Sequence, residues 1–564
     1  MMQRLPLTFH KNAAFILVAA FFVLTNIIWW QQNKFVQGPD EGEHLYKSIE
    51  LYENGGYLYE FLHPKVYHSY YNGPFFYLTA GVFYRLFQNT AYQVSMLNNI
   101  FYIILLLFGI AKLERLIFGT PGILSALFCM LIPMGAIYSR FFNPDIAVCS
   151  VLVWFMYFLK KGNEEVNLKY FYLAFLLILI GGYIKVIFYL YAFSPLFCYL
   201  ILPLKRKQPR RFIFNLVLLA GLMLSFYFIY PTHFRTMLDD YLFFGEGFHN
   251  QDSVLQGFFL VKDGLSRYLG NLGKIALQIV NSQFGGIMSS FLVFSLAVFV
   301  FSNIKKEDRF ILLACLLGPV LFISRYFIFF ELRYFLPLLI IEAMIISYGL
   351  NFLFRKGKVF KFTAILFICF SLVQYLGVSF SKKWTDFFIR YAIFKGSINL
   401  SHEPVYVNPL PFPVNPLEEI IGVLEDAQKS GISPTVCFIY NFKKEPFTEF
   451  FSKRLGYYTH RFQRFFYTVC DGYLSCTADS VCDANFIVVS RSYIGEKASV
   501  LSPGALFYKK KCFSNAGACQ PFLKEFEGYL NDGNFKLYRQ VGAYDPAGGR
   551  KEQFLIYLRD NASS

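Results

Sequence analysis

Apolar runs of about 17–25 residues recur from Ala13 to about Phe380, each long enough to cross a hydrocarbon layer ~30 Å thick. Inside lipid every backbone N–H and C=O must be satisfied within the spanning structure, so runs of this kind fold as a packed helical bundle. Composition agrees: 55% of the 564 residues are hydrophobic, 16% are charged and the mean hydropathy is +0.42. That is too little charge to cover a soluble surface of this size. Beyond about Ser381 the pattern stops, and mixed polarity, turn residues and short alternating apolar runs take over. The expected fold class is an α-helical polytopic membrane protein over residues 1–380, followed by a soluble α/β domain over 381–564.

The net charge of +16 does not point to nucleic acid. Its cations fall in short clusters between spans: Lys112/Arg115, Lys160/Lys161, Lys205 to Arg211, Lys305/Lys306/Arg309 and Arg355/Lys356/Lys358. Every second loop carries one, the pattern that the positive-inside rule gives cytoplasmic loops. Eleven spans are expected, at roughly 13–30, 95–118, 121–138, 144–160, 170–187, 188–204, 212–231, 286–304, 310–328, 334–353 and 360–379. With Arg4 and Lys11 inside, an odd count places the C-terminal domain outside. Pro74 to Gln88 is apolar but short and carries Arg85, so an interfacial helix is expected there. The first segment reads as a retained signal anchor. A bacterial inner membrane with a periplasmic C-terminal domain is the expected location.

Five cysteines (Cys129, Cys149, Cys198, Cys315, Cys369) lie in or beside spans, where a thiol serves as a small apolar filler. The other six, Cys437, Cys470, Cys476, Cys482, Cys512 and Cys519, crowd the C-terminal domain and read as disulfides, Cys512–Cys519 first among the pairings. Within that domain Thr435–Tyr440, Asn485–Val489, Phe535–Tyr538 and Phe554–Leu558 read as strands and Leu417–Gln428 as a helix, with an insertion from Cys470 to Cys519. No phosphate loop, nucleophile elbow or metal-ligand spacing marks it, so recognition or scaffolding is its expected role.

Polar residues gather instead at the outer ends of the spans. The first outer loop, about 31–94, opens with Gly38-Pro39-Asp40-Glu41-Gly42-Glu43-His44. The second outer turn reads Arg140-Phe141-Phe142-Asn143-Pro144-Asp145, and the third holds Lys185. The fourth outer loop is long, about 232–285; the fifth carries Arg325 and Glu331-Leu332-Arg333-Tyr334. Each feature has a local explanation. Pro39-Asp40-Glu41 and Asn143-Pro144-Asp145 both suit a helix start, Lys185 could snorkel to the interface, and the arginines could pair with Glu331 or lipid headgroups. Their coincidence on one face favours chemistry.

Glycosyl transfer from a lipid-phosphate sugar needs this set. A carboxylate takes or orients the acceptor proton, for which Asp40, with Glu41 beside it, is the candidate. Fixed cations stabilise the leaving lipid phosphate, for which Lys185, Arg325 and Arg333 are candidates. His44, one helical turn after Asp40, shares its face if the segment is helical. With Asp145 it would support the acceptor, or a divalent ion (Mg or Mn) held between Asp40, His44 and Asp145.

These motifs resemble the GT-C superfamily of membrane glycosyltransferases, and more closely the protein O-mannosyltransferase and lipid A aminoarabinose transferase relatives and bacterial membrane proteins with a Pro-Asp-Glu-x-x-His loop. The matching pieces are Pro39 to His44, Gly73-Pro74-Phe75-Phe76-Tyr77-Leu78, Arg140 to Asp145, Gly182-Tyr183-Ile184-Lys185 and Arg333-Tyr334-Phe335-Leu336-Pro337, in that order over the first 340 or so residues. The resemblance implies a GT-C-like membrane domain, a polyprenyl- or dolichyl-phosphate sugar donor, a glycan, lipid or protein acceptor, and an inverting displacement with an acidic base in the first outer loop. It also implies that Asp145 supports the acceptor or a metal and that Lys185 and Arg333 contact lipid phosphate. Two competing readings stay open: a transporter or flippase of a lipid-linked glycan, for which the deeply placed Glu342 is the best pointer, and a non-enzymatic scaffold that presents the outer domain.

Overall fold

The computed structural model describes residues 7–32, 44, 48, 74–87, 91–205, 207–229, 270, 272–276, 279, 286–326, 332–381, 384, 416–432, 435–440, 466–471, 485–490, 535–544 and 551–559. The chain divides into two compact units: residues 1–34 with 50–409, and residues 35–49 with 410–564.

The first unit is helical. Its described helices are α1 (Leu7–Gln32), α2 (Phe75–Phe87), α3 (Ala91–Phe118), α4 (Ile123–Leu131), α5 (Pro133–Tyr138), α6 (Asp145–Glu165), α7 (Leu168–Gly182), α8 (Ile187–Lys205), α9 (Pro209–Ile229), α10 (Gly286–Val300), α11 (Lys306–Tyr326), α12 (Leu339–Arg355) and α13 (Lys358–Phe380). A 3₁₀ turn, Leu332–Leu338, leads into α12. A helical segment stands at each of the eleven expected positions. Six meet the length and composition needed to cross a membrane: 13–31, 93–118, 187–204, 209–229, 333–355 and 358–377. α7 and α10 are apolar but shorter. Apolar side chains project outward along these helices, among them Leu17, Val217, Phe228, Val359 and Phe362. On a water-facing surface this would be costly; in lipid it is the expected finish. The protein is an integral membrane protein.

Local chemistry explains where the helices depart from the expected spans. The span expected over 121–138 is broken at Ile132, which is extended (φ −62°, ψ 127°) because Pro133 follows it and starts α5. Gly135 lies at this break, against the Cys129 carbonyl oxygen and 3.0 Å from Leu339 Cδ2 for any added Cβ. Gly135→Ala is therefore expected to destabilise the bundle by about 1–3 kcal/mol, read as a lower melting temperature of the purified protein. α7 starts at Leu168, earlier than expected, because the Asn167 side chain accepts a hydrogen bond from the Lys169 N–H at 3.0 Å. It ends at Gly182, which leaves Lys185 in the turn before α8.

The basic clusters share one end of this unit. Lys160 Nζ at the end of α6 meets Asp308 Oδ1 at the start of α11 at 2.6 Å, and Arg211 Nη2 donates to the Glu164 carbonyl oxygen at 3.2 Å. The opposite end gathers the α5–α6 turn, the α7–α8 turn and the 3₁₀ segment.

In the second unit, α14 (Pro416–Lys429) accompanies a five-stranded sheet of order β2-β1-β3-β5-β4. The strands are β1 (Thr435–Tyr440), β2 (Phe466–Asp471), β3 (Phe486–Ser490), β4 (Phe535–Tyr544) and β5 (Lys551–Arg559). β2, β1 and β3 run parallel; β5 is antiparallel to β3 and to β4, with a register shift between Leu537 and Arg539. Four strands and the helix stand where the alternating apolar runs placed them. β2 is an addition, and it puts Cys470 in a sheet strand rather than at the head of an insertion. Among the described residues no disulfide is seen; Cys476, Cys482, Cys512 and Cys519 lie outside them. The five cysteines of the helical unit are free thiols, four of them buried, as expected of fillers.

Candidate functional site

Asp145 opens α6 directly after Pro144, so the helix-start explanation holds: an acid sits in the first turn, at the positive end of the helix dipole. The same position puts its carboxylate against the α7–α8 turn. Lys185 Nζ lies 2.6 Å from Asp145 Oδ1, and their side chains are only 5% and 2% exposed. Lys185 is thus a buried ion-pair partner rather than a residue snorkelling to the interface. Its ammonium also lies 5.7 Å from the Tyr334 ring centroid, and the Arg333 guanidinium lies 5.7 Å from the same ring. The Tyr191 hydroxyl donates to the Tyr334 carbonyl oxygen at 2.6 Å, which ties α8 to the 3₁₀ segment. Phe75 N–H donates to the Tyr183 carbonyl oxygen at 2.9 Å, so α2 begins on the turn that carries Lys185. Asp145, Lys185 and Arg333, three residues far apart in sequence, are brought together.

The α5–α6 turn is held just as firmly. Asn99 Nδ2 donates to the Ser139 and Phe141 carbonyl oxygens at 3.2 and 2.9 Å. Arg140 is 1% exposed. Its Nη2 donates to Ser379 Oγ at 2.7 Å and its Nε to Asn26 Oδ1 at 3.3 Å, while its guanidinium stands 5.4 Å from the Trp29 and Tyr375 rings. One buried cation therefore joins the last turns of α1, the α5–α6 turn and the last turns of α13. Within the Arg140-to-Asp145 motif, the sequence assigns Arg140 no role of its own. The available signal was a lone charge beside two phenylalanines in a very short turn, which demands a prepared polar or aromatic box.

The remaining candidates are placed as follows. Asp40 and Glu41 lie outside the described residues. His44 belongs to the second compact unit, and Ser48 Oγ donates to its carbonyl oxygen at 2.8 Å, a contact spanning one helical turn. Arg325 is in the last turn of α11, its side chain outside the described set. Glu342 is buried in α12. Among the described residues no group of three or more His, Cys, Asp or Glu could hold a metal ion. Asp145, the one described carboxylate of the expected metal set, holds the Lys185 ammonium on Oδ1. Of the expected metal set, Asp40 lies outside the described residues.

The described site thus comprises a buried carboxylate–lysine pair with a second cation beside the same tyrosine ring. The chain resembles the GT-C superfamily of membrane glycosyltransferases, as its ordered motifs implied. Residues 71–230 match the sequence model of the dolichyl-phosphate-mannose-protein mannosyltransferase family, a stretch that contains Asp145 and Lys185. The fold is similar to the crystal structure of ArnT from Cupriavidus metallidurans bound to undecaprenyl phosphate. That likeness has a TM-score of 0.52 at 10% identity and covers 97% of this chain and 98% of that one. A weaker likeness, with a TM-score of 0.48 at 11% identity, is to the archaeal oligosaccharyltransferase AglB from Archaeoglobus fulgidus in complex with an inhibitory peptide and a dolichol-phosphate; it covers 98% of this chain and 75% of that one. No curated protein matches the chain by sequence.

Proposed function

We propose that the protein is a GT-C-type glycosyltransferase that moves a hexosyl or pentosyl unit from a polyprenyl-phosphate donor to a glycan, lipid or protein acceptor at the outer membrane face. The buried Asp145–Lys185 pair inside the matched mannosyltransferase segment carries this reading. The undecaprenyl phosphate bound by the structurally similar ArnT supports a lipid-phosphate donor. Outer-face action is favoured because the site lies at the end of the bundle opposite the basic clusters.

In this reading Asp40, with Glu41 beside it, accepts the proton of the acceptor nucleophile as that atom attacks the anomeric carbon. The carbon–oxygen bond to phosphate breaks, configuration inverts, and polyprenyl phosphate leaves with the extra negative charge. Lys185, Arg325 and Arg333 stabilise that charge. Asp145 fixes Lys185 in place through the 2.6 Å pair; His44 and Asp145 are each candidates for acceptor support. The spans number eleven, the membrane is the bacterial inner membrane, and the domain over residues 381–564 is periplasmic and disulfide-containing, with a recognition or scaffolding role.

Two measurements test the proposal together. Protein reconstituted in liposomes with a panel of undecaprenyl-phosphate sugars and extracted cell-envelope acceptors is expected to release undecaprenyl phosphate only when an acceptor is present. Envelope glycans from cells lacking the protein are expected to lack one sugar. Translocation of an intact sugar lipid across the liposome membrane, without release of undecaprenyl phosphate, would favour the flippase reading instead.

A further inference from the structure

Asn98 on α3 and Asn143 in the α5–α6 turn are buried, at 0% and 1% exposure. Among the described residues, neither the amide nitrogen nor the amide oxygen of either has a hydrogen-bond partner. Asp145 Oδ2 is buried in the same condition, since the ion pair to Lys185 uses Oδ1. Other buried polar groups are well served: Asn163 and Asn215 exchange amide hydrogen bonds at 3.1 and 2.8 Å, and Asn215 also donates to the Tyr199 carbonyl oxygen. Single atoms elsewhere, such as Ser125 Oγ or Gln374 Oε1, lack partners. Among the described residues only Asn98 and Asn143 lack them at both ends of the amide. A buried amide left this way is destabilising unless something fills it.

The three residues lie at one level of the bundle. Ser150 Oγ donates to the Tyr102 carbonyl oxygen at 2.7 Å and Trp154 Nε1 to that of Leu105 at 3.0 Å. α3 and α6 therefore run side by side with sequence offsets of 48 and 49 residues, and the same register sets Asn98 beside the first turn of α6, where Asp145 sits. Asn99, next along α3, holds the turn that carries Asn143. Phe142 packs 4.8 Å from Phe76, itself 6.0 Å from Tyr102, so an aromatic wall stands at this level.

We infer that Asn98, Asn143 and Asp145 Oδ2 form a subsite for the hydroxyl groups of the donor sugar, beside the Lys185 cation. An amide both donates and accepts in one plane, which matches a pair of neighbouring hydroxyls; two amides and a carboxylate oxygen together meet a polyhydroxylated ring. The aromatic wall suits its C–H face. The inference rests on the glycosyltransferase reading and adds the sugar-holding residues to it.

Binding is measured with purified, lipid-stripped protein, using undecaprenyl phosphate alone and undecaprenyl phosphate bearing mannose, glucose, galactose or arabinose. Wild-type protein is expected to bind at least one sugar-bearing lipid more tightly than the bare lipid. Asn98→Leu and Asn143→Leu should each weaken that lipid about tenfold or more and leave the bare lipid unchanged. Both variants should melt at or above the wild-type temperature without ligand, because each removes a buried amide that has no partner. Equal loss for both lipids, a drop in ligand-free melting temperature, or a sugar that adds no affinity in wild type overturns the subsite while leaving the function intact. Failure of wild type to bind any of these lipids overturns the glycosyltransferase reading and the subsite with it.

Discussion

Lys185→Met is expected to destabilise the helical unit by about 3–5 kcal/mol, the usual consequence of removing one partner from a buried ion pair. Asp145 has a side chain only 2% exposed, 2.6 Å from the lysine ammonium. Methionine matches the lysine stem but leaves that carboxylate without its counter-charge in a water-poor site. Asp145→Asn alone removes the carboxylate that Lys185 Nζ meets at 2.6 Å and should also destabilise the unit. The double variant Asp145→Asn/Lys185→Met removes both charges and should recover most of the loss, giving a large non-additive coupling in a double-mutant cycle. Thermal unfolding of the detergent-purified variants supplies the numbers. The double variant also separates structure from chemistry. If Lys185 stabilises the leaving phosphate as proposed, the restored fold still transfers sugar at least about a hundredfold more slowly than wild type. A double variant that is both stable and fully active would reduce Lys185 to a structural residue.

That pair shows how much of the site the sequence made legible. The residues at its centre, Asp145, Lys185 and Arg333, were each identified from short motifs at span ends. What motifs could not show was the pairing itself. Phosphate contact and acceptor support suggested separate duties for Lys185 and Asp145, whereas the fold makes them partners, because α6 and the α7–α8 turn start from the same end of the bundle. Arg140 illustrates the opposite case. Its partners come from α1 and α13, 114 and 239 positions away in sequence for Asn26 and Ser379, and no local pattern announces contacts at that range. Asn98 and Asn143 were invisible for a further reason: a buried asparagine is unremarkable until its neighbours are known, and here the absence of partners is the signal.

Secondary structure was easier to read, for physical reasons that also explain the misses. Long apolar runs can only be helices in lipid, so their positions followed directly. Helix ends depended on single residues: Pro133 breaks one expected span, and Asn167 starts another early. In the second unit, Thr435–Tyr440 was plain because six consecutive residues suit a buried parallel strand. β2 was hidden because its residues, Phe466–Asp471, adjoin an aromatic and basic stretch and end in an acid beside a cysteine. Only the register Thr435–Phe466 to Tyr440–Asp471 with β1 makes this stretch a strand, and that pairing is non-local.

Asp40→Asn is expected to lower the rate of sugar transfer by about 10²–10⁴-fold, the range over which a positioned general base contributes. Asparagine keeps the size and one accepting oxygen of aspartate but cannot carry off the acceptor proton. The residue follows Gln32, the last residue of α1, by eight positions in sequence, and insertion and melting temperature are expected to stay close to wild type. Donor affinity should also change little, since a base acts on the acceptor and its effect appears in kcat. Glu41→Gln provides the comparison: a loss confined to Asp40→Asn assigns the proton to Asp40, whereas a loss confined to Glu41→Gln transfers the role to its neighbour. Full activity in both variants would remove the first outer loop from the chemistry. The resemblance to GT-C enzymes would then rest on the fold and the matched segment over residues 71–230. Initial rates in liposomes at saturating donor, with protein amounts matched by immunodetection, distinguish these outcomes. Rescue by Asp40→Glu, partial because the longer side chain displaces the carboxylate, would mark proton transfer rather than hydrogen bonding as the lost function.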